Sequence, residues 1–595
     1  MTAPLKLSVI VPTRNRREVL LSRTLPAMFS QGTPVNDYEI VVVADGSTDG
    51  TAEALRQLHP DCALRIIEQS NRGPSAARNN GIQAARGELV LFIDDDIICG
   101  PHLFQRHIQA HVDSEPAVAY GPISIAPGTP PSVLKYAIEV WYEQYYGRID
   151  SQGGLRFPQD EYLISNSSIP RAALLACSGF DETMTAKEDY ELGLRLWKMG
   201  LRFKYMPQAR AYEFYLKPSR YVLRNDGKTF GETEVLLSRK HPDYRPYSVL
   251  GVLGKLAGWK RLWRRIYAGL PVNPVGLLTP PLWVCDKLCR FPAMQRLGHR
   301  VLGTGRGVVE FRSAAGEAGS WKALQREYGM RLPVLLYHHV GPLRPGIVPG
   351  LTVSPRSFES HVRWLAHRGY TGIRPADWLR WLREGKGLPD KPVLFTFDDA
   401  YADLVEHALP VLRRYGFGAG VYVVTRQVGG TNVWDTAHGF SPLPLMTTEQ
   451  IRYWFTLGIE FGAHSRTHAD LTTLSPAELQ QEVVGSGKDL ESILGSRVAS
   501  FAYPYGYHNP AVDDCVRAAF DLAFAAETKM KGLNYLGTDP HLLQRSLVPA
   551  SDFAVDVECR ARWGYSPIER LRNRLRLRSR FRNAMGPLLG ARRKS

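Results

Sequence analysis

The sequence has few cysteines, and they form no pattern. Its seven cysteines are scattered over 595 residues, and only Cys285 and Cys289 lie close together. An odd, sparse set argues against a disulfide framework and is typical of a reducing compartment. Because Cys285 and Cys289 lack a second pair at zinc spacing, we expect them to be structural. The first residues also lack a basic segment followed by a long apolar stretch, so we expect no signal peptide.

Apolar runs that could cross a membrane are scarce as well. Residues 267–285 are nineteen residues without charge, but they include four prolines, which fit poorly inside a spanning helix. We expect an interfacial or packed segment here, with a transmembrane span as the alternative. Flanking basic and tryptophan residues suit a membrane surface.

Acids are nearly absent from the C-terminal tail. Residues 560–595 hold twelve Lys or Arg and one acid, Glu569. Such a block indicates an anionic lipid surface, a nucleic acid, an acidic polymer or simply a solvated end. Because the chain lacks base-stacking motifs, we expect no nucleic-acid partner.

A chain of this length is too long for one hydrophobic core. Residues 1–100 hold Val- and Ile-rich runs at 7–11, 39–43, 64–67 and 88–93, which predict buried strands. Amphipathic stretches at 51–58 and 75–85 predict helices between them, and together these predict a parallel α/β sheet. A second strand–helix rhythm from Val334 onward predicts a complete or distorted β/α barrel. We therefore divide the chain into a domain at 1–240, a basic, Pro- and aromatic-rich linker at 241–330, a second domain at 331–558 and a basic tail at 559–595.

Acidic residues cluster where the first predicted strands end. Asp45 follows one strand, and Asp94, Asp95 and Asp96 follow another. Ligands of parallel sheets bind beyond the carboxyl ends of the strands. Three adjacent carboxylates repel one another unless they are solvated or bound to a cation, so the pattern predicts Mg²⁺ or Mn²⁺ bridging a diphosphate, with a solvated acidic turn as the alternative.

Six motifs follow one another around these acids. They are residues 9–15 (VIVPTRN), 43–51 (VADGSTDGT), 71–79 (NRGPSAARN), 91–96 (LFIDDD), 178–182 (SGFDE) and 188–192 (EDYEL). In this order they resemble the family 2 inverting glycosyltransferases of the GT-A fold, over residues 5–235. The resemblance implies a Rossmann-like nucleotide-sugar domain.

The resemblance also implies roles for individual residues on the donor side. Pro12 and Asp45 would line the nucleoside pocket, and Arg78 would lie near the nucleotide. Asp94 and Asp96 are the two acids of the DxD motif, with Asp96 as the metal ligand.

Asp189 would be the general base that deprotonates the acceptor hydroxyl, since an inverting transfer needs one base opposite the leaving diphosphate. Two features depart from the family pattern. Ala44 stands where paired acids are frequent, and no Gln-x-x-Arg-Trp motif follows Asp189. The second departure favours transfer of a single sugar over polymerisation.

A second set of polar residues follows predicted strands in the C-terminal half. Asp398 and Asp399 end one strand, and His464 and His468 follow another. Two imidazoles and one carboxylate are typical of a divalent transition-metal site with open positions for water. If Asp399 binds the metal, Asp398 remains available as a base.

These residues belong to motifs that resemble the polysaccharide deacetylases of carbohydrate esterase family 4, over residues 331–550. Residues 335–340 (LLYHHV) and 501–506 (FAYPYG) match two further motifs. The resemblance implies Asp398 as general base, and Asp399, His464 and His468 as ligands of Zn²⁺ or a similar metal. The backbone N–H of Tyr505 would stabilise the oxyanion.

This half also departs from its family. Ala502 stands where many members carry an arginine that steadies the base. The general-acid histidine of the last family motif has no evident match, and His338 and His541 are the candidates.

Together these features predict a bifunctional enzyme of cell-surface polysaccharide synthesis. One half would move a sugar from a nucleotide sugar to a glycan or lipid-linked acceptor, and the other would deacetylate an acetylated saccharide. The alternative is a transferase with a catalytically weak glycan-binding module. Because nucleotide sugars are cytosolic, we expect a cytoplasmic protein held on the inner face of the cell membrane, against an anionic surface, by residues 246–290 and the tail.

Overall fold

The computed structural model describes residues 5–572 except 113–114, 215–216, 257–265, 267–273, 344–345, 348–349, 437–438 and 526–531. The chain divides into two compact units, residues 1–244 with 258–321, and residues 245–257 with 322–595. Among the described helices, none combines the length and the apolar character needed to cross a membrane.

The first unit is built on a mixed sheet. Its main-sheet strands are β1 (Leu7–Thr13), β2 (Tyr38–Asp45), β3 (Ala63–Gln69), β4 (Leu89–Phe92), β6 (Ala117–Tyr120), β8 (Ser167–Pro170) and β9 (Arg202–Tyr205). They are ordered β3-β2-β1-β4-β8-β6-β9, and β8 runs antiparallel to both of its neighbours. A smaller sheet consists of β5 (Ile97–Cys99), β7 (Ile123–Ile125) and β10 (Ala211–Glu213). The strands β1, β2 and β4 are almost wholly buried, as their Val- and Ile-rich sequences predict for strands covered on both faces.

Helices flank this sheet. They are α1 (Arg17–Val19), α2 (Leu25–Phe29), α3 (Thr51–Arg56), α4 (Pro74–Ala84), α5 (Leu103–Ala110), α6 (Val133–Ser151), α7 (Arg171–Ala176), α8 (Glu188–Lys198), α9 (Ser219–Tyr221) and α10 (Gly227–Lys240). A short helix, α11 (Val252–Lys255), belongs to the second unit. Two further helices return to the first unit, α12 (Pro274–Lys287) and α13 (Pro292–Glu317).

The second unit is a distorted barrel of mainly parallel strands. Its strands are β11 (Arg331–Tyr337), β12 (His339–Val340), β13 (Thr352–Val353), β14 (Thr371–Gly372), β15 (Pro392–Phe397), β16 (Ala419–Val423), β17 (Glu460–Ala463), β18 (Ser500–Ala502), β19 (Leu522–Ala525), β20 (Leu533–Tyr535), β21 (Leu543–Gln544) and β22 (Ser546–Leu547). The wall runs β11-β15-β16-β17-β18-β19-β21, and β22 pairs with β11. Because β21 and β22 are separated only by Arg545, this one segment closes the barrel.

Helices surround the barrel. They are α14 (Trp321–Tyr328), α15 (Pro355–His367), α16 (Pro375–Glu384), α17 (Leu404–His407), α18 (Leu409–Arg414), α19 (Val433–Thr436), α20 (Thr448–Thr456), α21 (Pro476–Leu494), α22 (Pro510–Ala519) and α23 (Ala554–Trp563). Serine or threonine side chains cap several of them, including Ser354 before α15 and Ser475 before α21. The predicted fold class, an α/β nucleotide-type domain followed by a distorted β/α barrel, is confirmed.

The segment that we expected to be a linker contributes to both units. Residues 245–257 pack on the barrel, where Arg331 donates to the carbonyls of Gly254 and Leu256. In the first unit, α13 packs along α10, and the Cβ that an alanine would place at Gly231 would lie 2.1 Å from the carbonyl oxygen of Glu310. Buried apolar positions at helical spacing stabilise helices in this segment. Most of residues 257–273 and all of residues 573–595, including most of the basic tail, lie outside the described residues.

Candidate active sites

In the first unit, three parallel strands end beside one another. Pro12, near the end of β1, pairs in register with Val43 of β2, and β4 leads into the three acids. Thr13 donates a hydrogen bond to Asp95 over 2.8 Å. The strand order therefore brings the predicted residues Pro12, Asp45, Asp94 and Asp96 to one edge of the sheet.

Asp45 organises the loop that precedes α4. Its carboxylate accepts hydrogen bonds from the backbone N–H groups of Arg72 and Gly73, at 2.8 and 2.9 Å, and from the side chain of Gln69. Gly46 has a φ of +66°, and a Cβ there would lie 2.8 Å from the backbone nitrogen of Asn71. Glycine is thus required for the loop to approach the strand end.

Arg78 connects the two acidic parts of this site. Its buried guanidinium lies 2.8 Å from Asp94 and 2.8 Å from Glu188, at the start of α8. Burial alone would raise the pKa of Asp94, but the charge of Arg78 and the Ser165 hydroxyl hold it below its ordinary value. Arg78 therefore links the DxD segment to the helix turn that carries Asp189.

Two other predicted site acids, Asp96 and Asp189, have raised pKa values. Burial, with Asp94 nearby, raises the pKa of Asp96 to about 6, although Arg16 lies 3.7 Å away. Burial, with Glu188 nearby, raises the pKa of Asp189 to about 7. Asp94 and Asp96 offer carboxylate oxygens, the ligand type that Mg²⁺ and Mn²⁺ prefer, and a cation there would offset the charge around Asp96.

The second unit brings its predicted polar residues together at the carboxyl ends of β15 and β17. The ligand atoms of Asp399, His464 and His468 all lie within 4.8 Å of one another, and all three residues are buried. The distances from Asp399 Oδ1 to His464 Nε2 and His468 Nε2 are 3.7 and 3.4 Å.

The hydrogen bonds of this cluster fit a metal ion. His464 Nδ1 donates to the carbonyl of Ala502 over 2.8 Å, which turns Nε2 toward Asp399. Asp399 Oδ1 is buried without a hydrogen-bond partner among the described residues. Burial and the neighbouring Asp398 raise the pKa of Asp399 well above its ordinary value. A divalent cation held by Nε2, Nε2 and a carboxylate oxygen would satisfy these groups.

Backbone strain is concentrated at the same place. Five residues without glycine's freedom have positive φ angles, namely Asp399 (69°), Ala400 (53°), Ser465 (60°), His468 (64°) and Tyr505 (58°). Such conformations persist only where the surrounding structure enforces them, and they cluster at functional sites. The Tyr505 ring also lies edge-on to His468, with ring centroids 4.5 Å apart.

Comparisons with known proteins agree with this geometry. The family models "Glycosyl transferase family 2" and "Glycosyl transferase family group 2" match residues 8–156 and 89–294, and "Polysaccharide deacetylase" matches residues 385–520. Residues within 8–294 therefore match the family 2 glycosyltransferases, and residues 385–520 match the polysaccharide deacetylases. The first unit is therefore called the transferase unit below, and the second the deacetylase unit.

Individual relatives match one unit each. Validoxylamine A glucosyltransferase of Streptomyces hygroscopicus subsp. jinggangensis is 31% identical over 220 residues, which cover 33% of this chain and 52% of that protein. YxkH of Bacillus subtilis (strain 168) is 28% identical over 202 residues, which cover 34% of this chain and 66% of that protein. Its name assigns it provisionally to the polysaccharide deacetylases. The chain thus spans between half and two thirds of the length of these relatives. A structure of the Streptococcus pyogenes deacetylase PplD in complex with acetate aligns with 38% of this chain and 97% of its own, at 23% identity and a TM-score of 0.34.

Sequence reasoning missed one residue of the deacetylase site. Arg545, between β21 and β22, donates two hydrogen bonds to Asp398, at 2.6 and 2.9 Å, and both side chains are buried. Burial would raise the pKa of Asp398, but Arg545 and the neighbouring imidazoles lower it to about 2. Arg545 thus contacts the residue that the resemblance implies as the base and that an arginine in place of Ala502 would be expected to steady. No motif around Arg545 signals the contact, because its partner Asp398 lies 147 residues away in the sequence.

The two candidate general acids differ in their surroundings. Both ring nitrogens of His541 are engaged, Nε2 with the carbonyl of Phe520 at 2.9 Å and Nδ1 with Arg517 at 3.2 Å. His338 follows β11, inside the barrel rim, and its Nδ1 is buried without a hydrogen-bond partner in the described part of the chain. The geometry therefore favours His338.

Proposed function

We propose that this chain is a bifunctional carbohydrate enzyme of cell-surface polysaccharide synthesis. One observation supports this most. In each unit, acids of the matching family motif lie together where neighbouring strands end. The transferase unit would move one sugar from a nucleotide sugar to a glycan or lipid-linked acceptor. The deacetylase unit would release acetate from an acetylated saccharide.

In the transferase unit, Asp189 would take the proton of the acceptor hydroxyl as its oxygen attacks the anomeric carbon. Attack from the side opposite the leaving diphosphate inverts the configuration at that carbon. Asp96 would hold Mg²⁺ or Mn²⁺, which when bound offsets the charge that develops on the diphosphate. Arg78 fixes Asp94 and Glu188 in place, and thereby holds the metal side and the base side of the cleft in register.

In the deacetylase unit, Asp399, His464 and His468 would hold Zn²⁺ or a similar ion, which when bound polarises the carbonyl and acidifies water. Asp398, aligned by Arg545, would take a proton from water as the water oxygen attacks the acetyl carbon. The backbone N–H of Tyr505 would stabilise the oxyanion. As the carbon–nitrogen or carbon–oxygen bond breaks, His338 would pass to the leaving sugar atom the proton that Asp398 took from water.

The alternative function is a transferase whose C-terminal unit binds glycans and turns them over poorly. The direct pairing of Arg545 with Asp398 favours catalysis, because it supplies the support for the base that the sequence departure at Ala502 had put in question. Acetate release from acetylated oligosaccharides separates the two alternatives.

A relative suggests the donor class, and the location of nucleotide sugars in the cell suggests where the protein acts. A relative named as a glucosyltransferase suggests a hexosyl donor. Because nucleotide sugars are cytosolic, we place the protein in the cytoplasm, on the inner face of the cell membrane, where a lipid-linked acceptor would be accessible.

Two measurements test the proposal. A panel of nucleotide sugars with Mn²⁺ should contain one that raises the melting temperature of the transferase unit, because a ligand that binds only the folded state must stabilise it. Purified protein should hold about one divalent metal in the deacetylase unit and release acetate from an acetylated glycan. A metal-free deacetylase unit that cannot be reconstituted would contradict the proposal.

A further inference from the structure

Helix α12 and the turn after it expose an unusual set of large apolar side chains. Leu277, Trp283 and Phe291 are 63%, 59% and 49% exposed. Val284 and Leu288 are exposed between them. We call these five residues the apolar face. Large exposed apolar residues grouped on one helix and the turn after it mark an interaction surface.

The opposite side of α12 is firmly packed, so the exposure does not come from a loosely held helix. Leu282 and Cys285 belong to a core cluster shared with Val133 and Leu134 of α6. Asp286 accepts hydrogen bonds over 2.9 Å from the backbone N–H of Val133 and from the hydroxyl of Ser219. With one side covered along its length, α12 can meet a partner only through its apolar face.

Cations border the apolar face. Lys287 lies 5.9 Å from the ring centroid of Trp283, and the Arg290 guanidinium lies 4.9 Å from that of Phe291. Asp286 is the one acid in residues 274–297, and it is occupied by the two hydrogen bonds described above. Aromatic residues with adjoining Lys and Arg suit the boundary between acyl chains and anionic headgroups.

We propose that the apolar face docks the transferase unit on an anionic lipid bilayer, with α12 lying in the plane of the membrane surface. The surface has a consequence for the acceptor. The same α6 that packs on α12 carries Tyr142, which donates to Glu213 over 2.7 Å, and the next residue, Phe214, donates to the carbonyl of Asp96. Docking would therefore hold the α6 side of the sugar-transfer cleft near the membrane. This last step rests on the proposed transferase function, whereas the docking does not.

Vesicle flotation of the full chain tests the docking. Vesicles of phosphatidylcholine with about one third phosphatidylglycerol are compared with pure phosphatidylcholine, at low salt and at about 0.5 M NaCl. High salt screens the basic tail and leaves apolar insertion in place. Wild-type protein should float with the anionic vesicles at low salt and should keep a measurable fraction bound at high salt. The double variant Trp283→Ala/Phe291→Ala should lower the high-salt partition by about tenfold or more.

A matched variant controls for the loss of exposed aromatic rings. Trp364 and Tyr453 are 39% and 58% exposed in the deacetylase unit, away from the basic tail, and Trp364→Ala/Tyr453→Ala should float like wild type. Equal partition of wild type and Trp283→Ala/Phe291→Ala would overturn the proposal. So would a change from dimer to monomer in light scattering with vesicle binding unchanged, which would make the face an interface between copies.

Sugar transfer to a soluble acceptor separates docking from catalysis. The Trp283→Ala/Phe291→Ala variant should retain transfer to a soluble acceptor while losing flotation. If no nucleotide sugar is used by any form of the protein, the transferase function fails, but the flotation result still decides the docking.

Discussion

Arg545 is the residue that holds Asp398, the proposed base of the deacetylase unit, in place. Its guanidinium reaches Asp398 from the short break between β21 and β22, where the barrel closes. Removing one partner of a buried ion pair leaves an unpaired charge and costs about 3–5 kcal/mol. Lysine cannot replace the paired hydrogen bonds, because its single ammonium lacks the planar fork of arginine.

We expect Arg545→Ala to reduce acetate release by at least about a hundredfold and to destabilise the deacetylase unit by about 3–5 kcal/mol. Arg545→Lys should recover part of the stability but little of the rate. The surface pair of Arg497 and Asp521 provides the control, and Arg497→Ala should cost no more than about 1 kcal/mol, measured by urea unfolding. A full rate of acetate release in Arg545→Ala would show that the base needs no such support.

Glu460 gives the deacetylase unit a pH dependence that lies away from its metal centre. The residue begins β17 and accepts a hydrogen bond from the backbone N–H of Ala376 over 2.9 Å. Burial raises its pKa to about 7, and Arg374 only partly compensates. Because the folded pKa exceeds the unfolded value of about 4.3, the stabilisation is complete below about pH 4 and is lost as the pH rises through about 7.

Glu460→Gln should therefore stabilise the protein at pH 8 by about 1–3 kcal/mol and have little effect at pH 4. Glutamine can still accept the Ala376 hydrogen bond, so the difference isolates the charge. Urea unfolding at the two pH values measures it, with Glu406→Gln as an exposed control. A pH-independent difference would mean that the pKa of Glu460 is the same in the folded and unfolded states.

At the level of elements, the predicted strands and helices of the first hundred residues agree with the structure to within a few residues. The expected runs at 39–43 and 64–67 lie inside β2 and β3, since buried Val and Ile runs are a local signal. Arg545 could not be found this way, because its partner Asp398 is 147 residues away. The helices α12 and α13 were hidden by their proline, glycine and basic residues, and packing against α6 and α10 stabilises them.

The packing of α13 on α10 is so close that adding a single methyl group to α10 tests it. At Gly231 a Cβ would lie 2.1 Å from the Glu310 carbonyl oxygen, which belongs to the backbone and cannot move aside easily. We expect Gly231→Ala to destabilise the transferase unit by about 1–3 kcal/mol, despite the better helix propensity of alanine. Gly303→Ala, at an open position of α13, should instead stabilise by about 0.5–1 kcal/mol in the same thermal unfolding measurement. Equal behaviour of the two variants would show that the helices are not packed this closely.

At the level of the whole molecule, the chain passes between the two units more than once. Residues 245–257 belong to the deacetylase unit although they follow the transferase sequence directly. Arg245 is buried there, with its guanidinium 4.8 Å from the ring centroid of Tyr328 and 5.4 Å from that of Trp381. A boundary placed in the middle of the sequence would therefore remove part of the deacetylase unit.

Arg245→Ala should destabilise the deacetylase unit and not the transferase unit, by about 2–4 kcal/mol. Calorimetry distinguishes the two, because added Zn²⁺ should raise only the deacetylase transition and added nucleotide only the transferase transition. A fall in the nucleotide-sensitive transition would assign this segment to the other unit.

Two separate active sites in one chain should be separable by mutation, and a paired assay of sugar transfer and acetate release tests this. Sugar transfer and acetate release are measured on the same preparations of wild type, Asp189→Asn and Asp398→Asn, with circular dichroism to confirm folding. We expect Asp189→Asn to abolish transfer and keep acetate release, and Asp398→Asn to do the reverse. Transfer by Asp189→Asn, acetate release by Asp398→Asn, or loss of both activities in one folded variant would contradict the presence of two separate active sites.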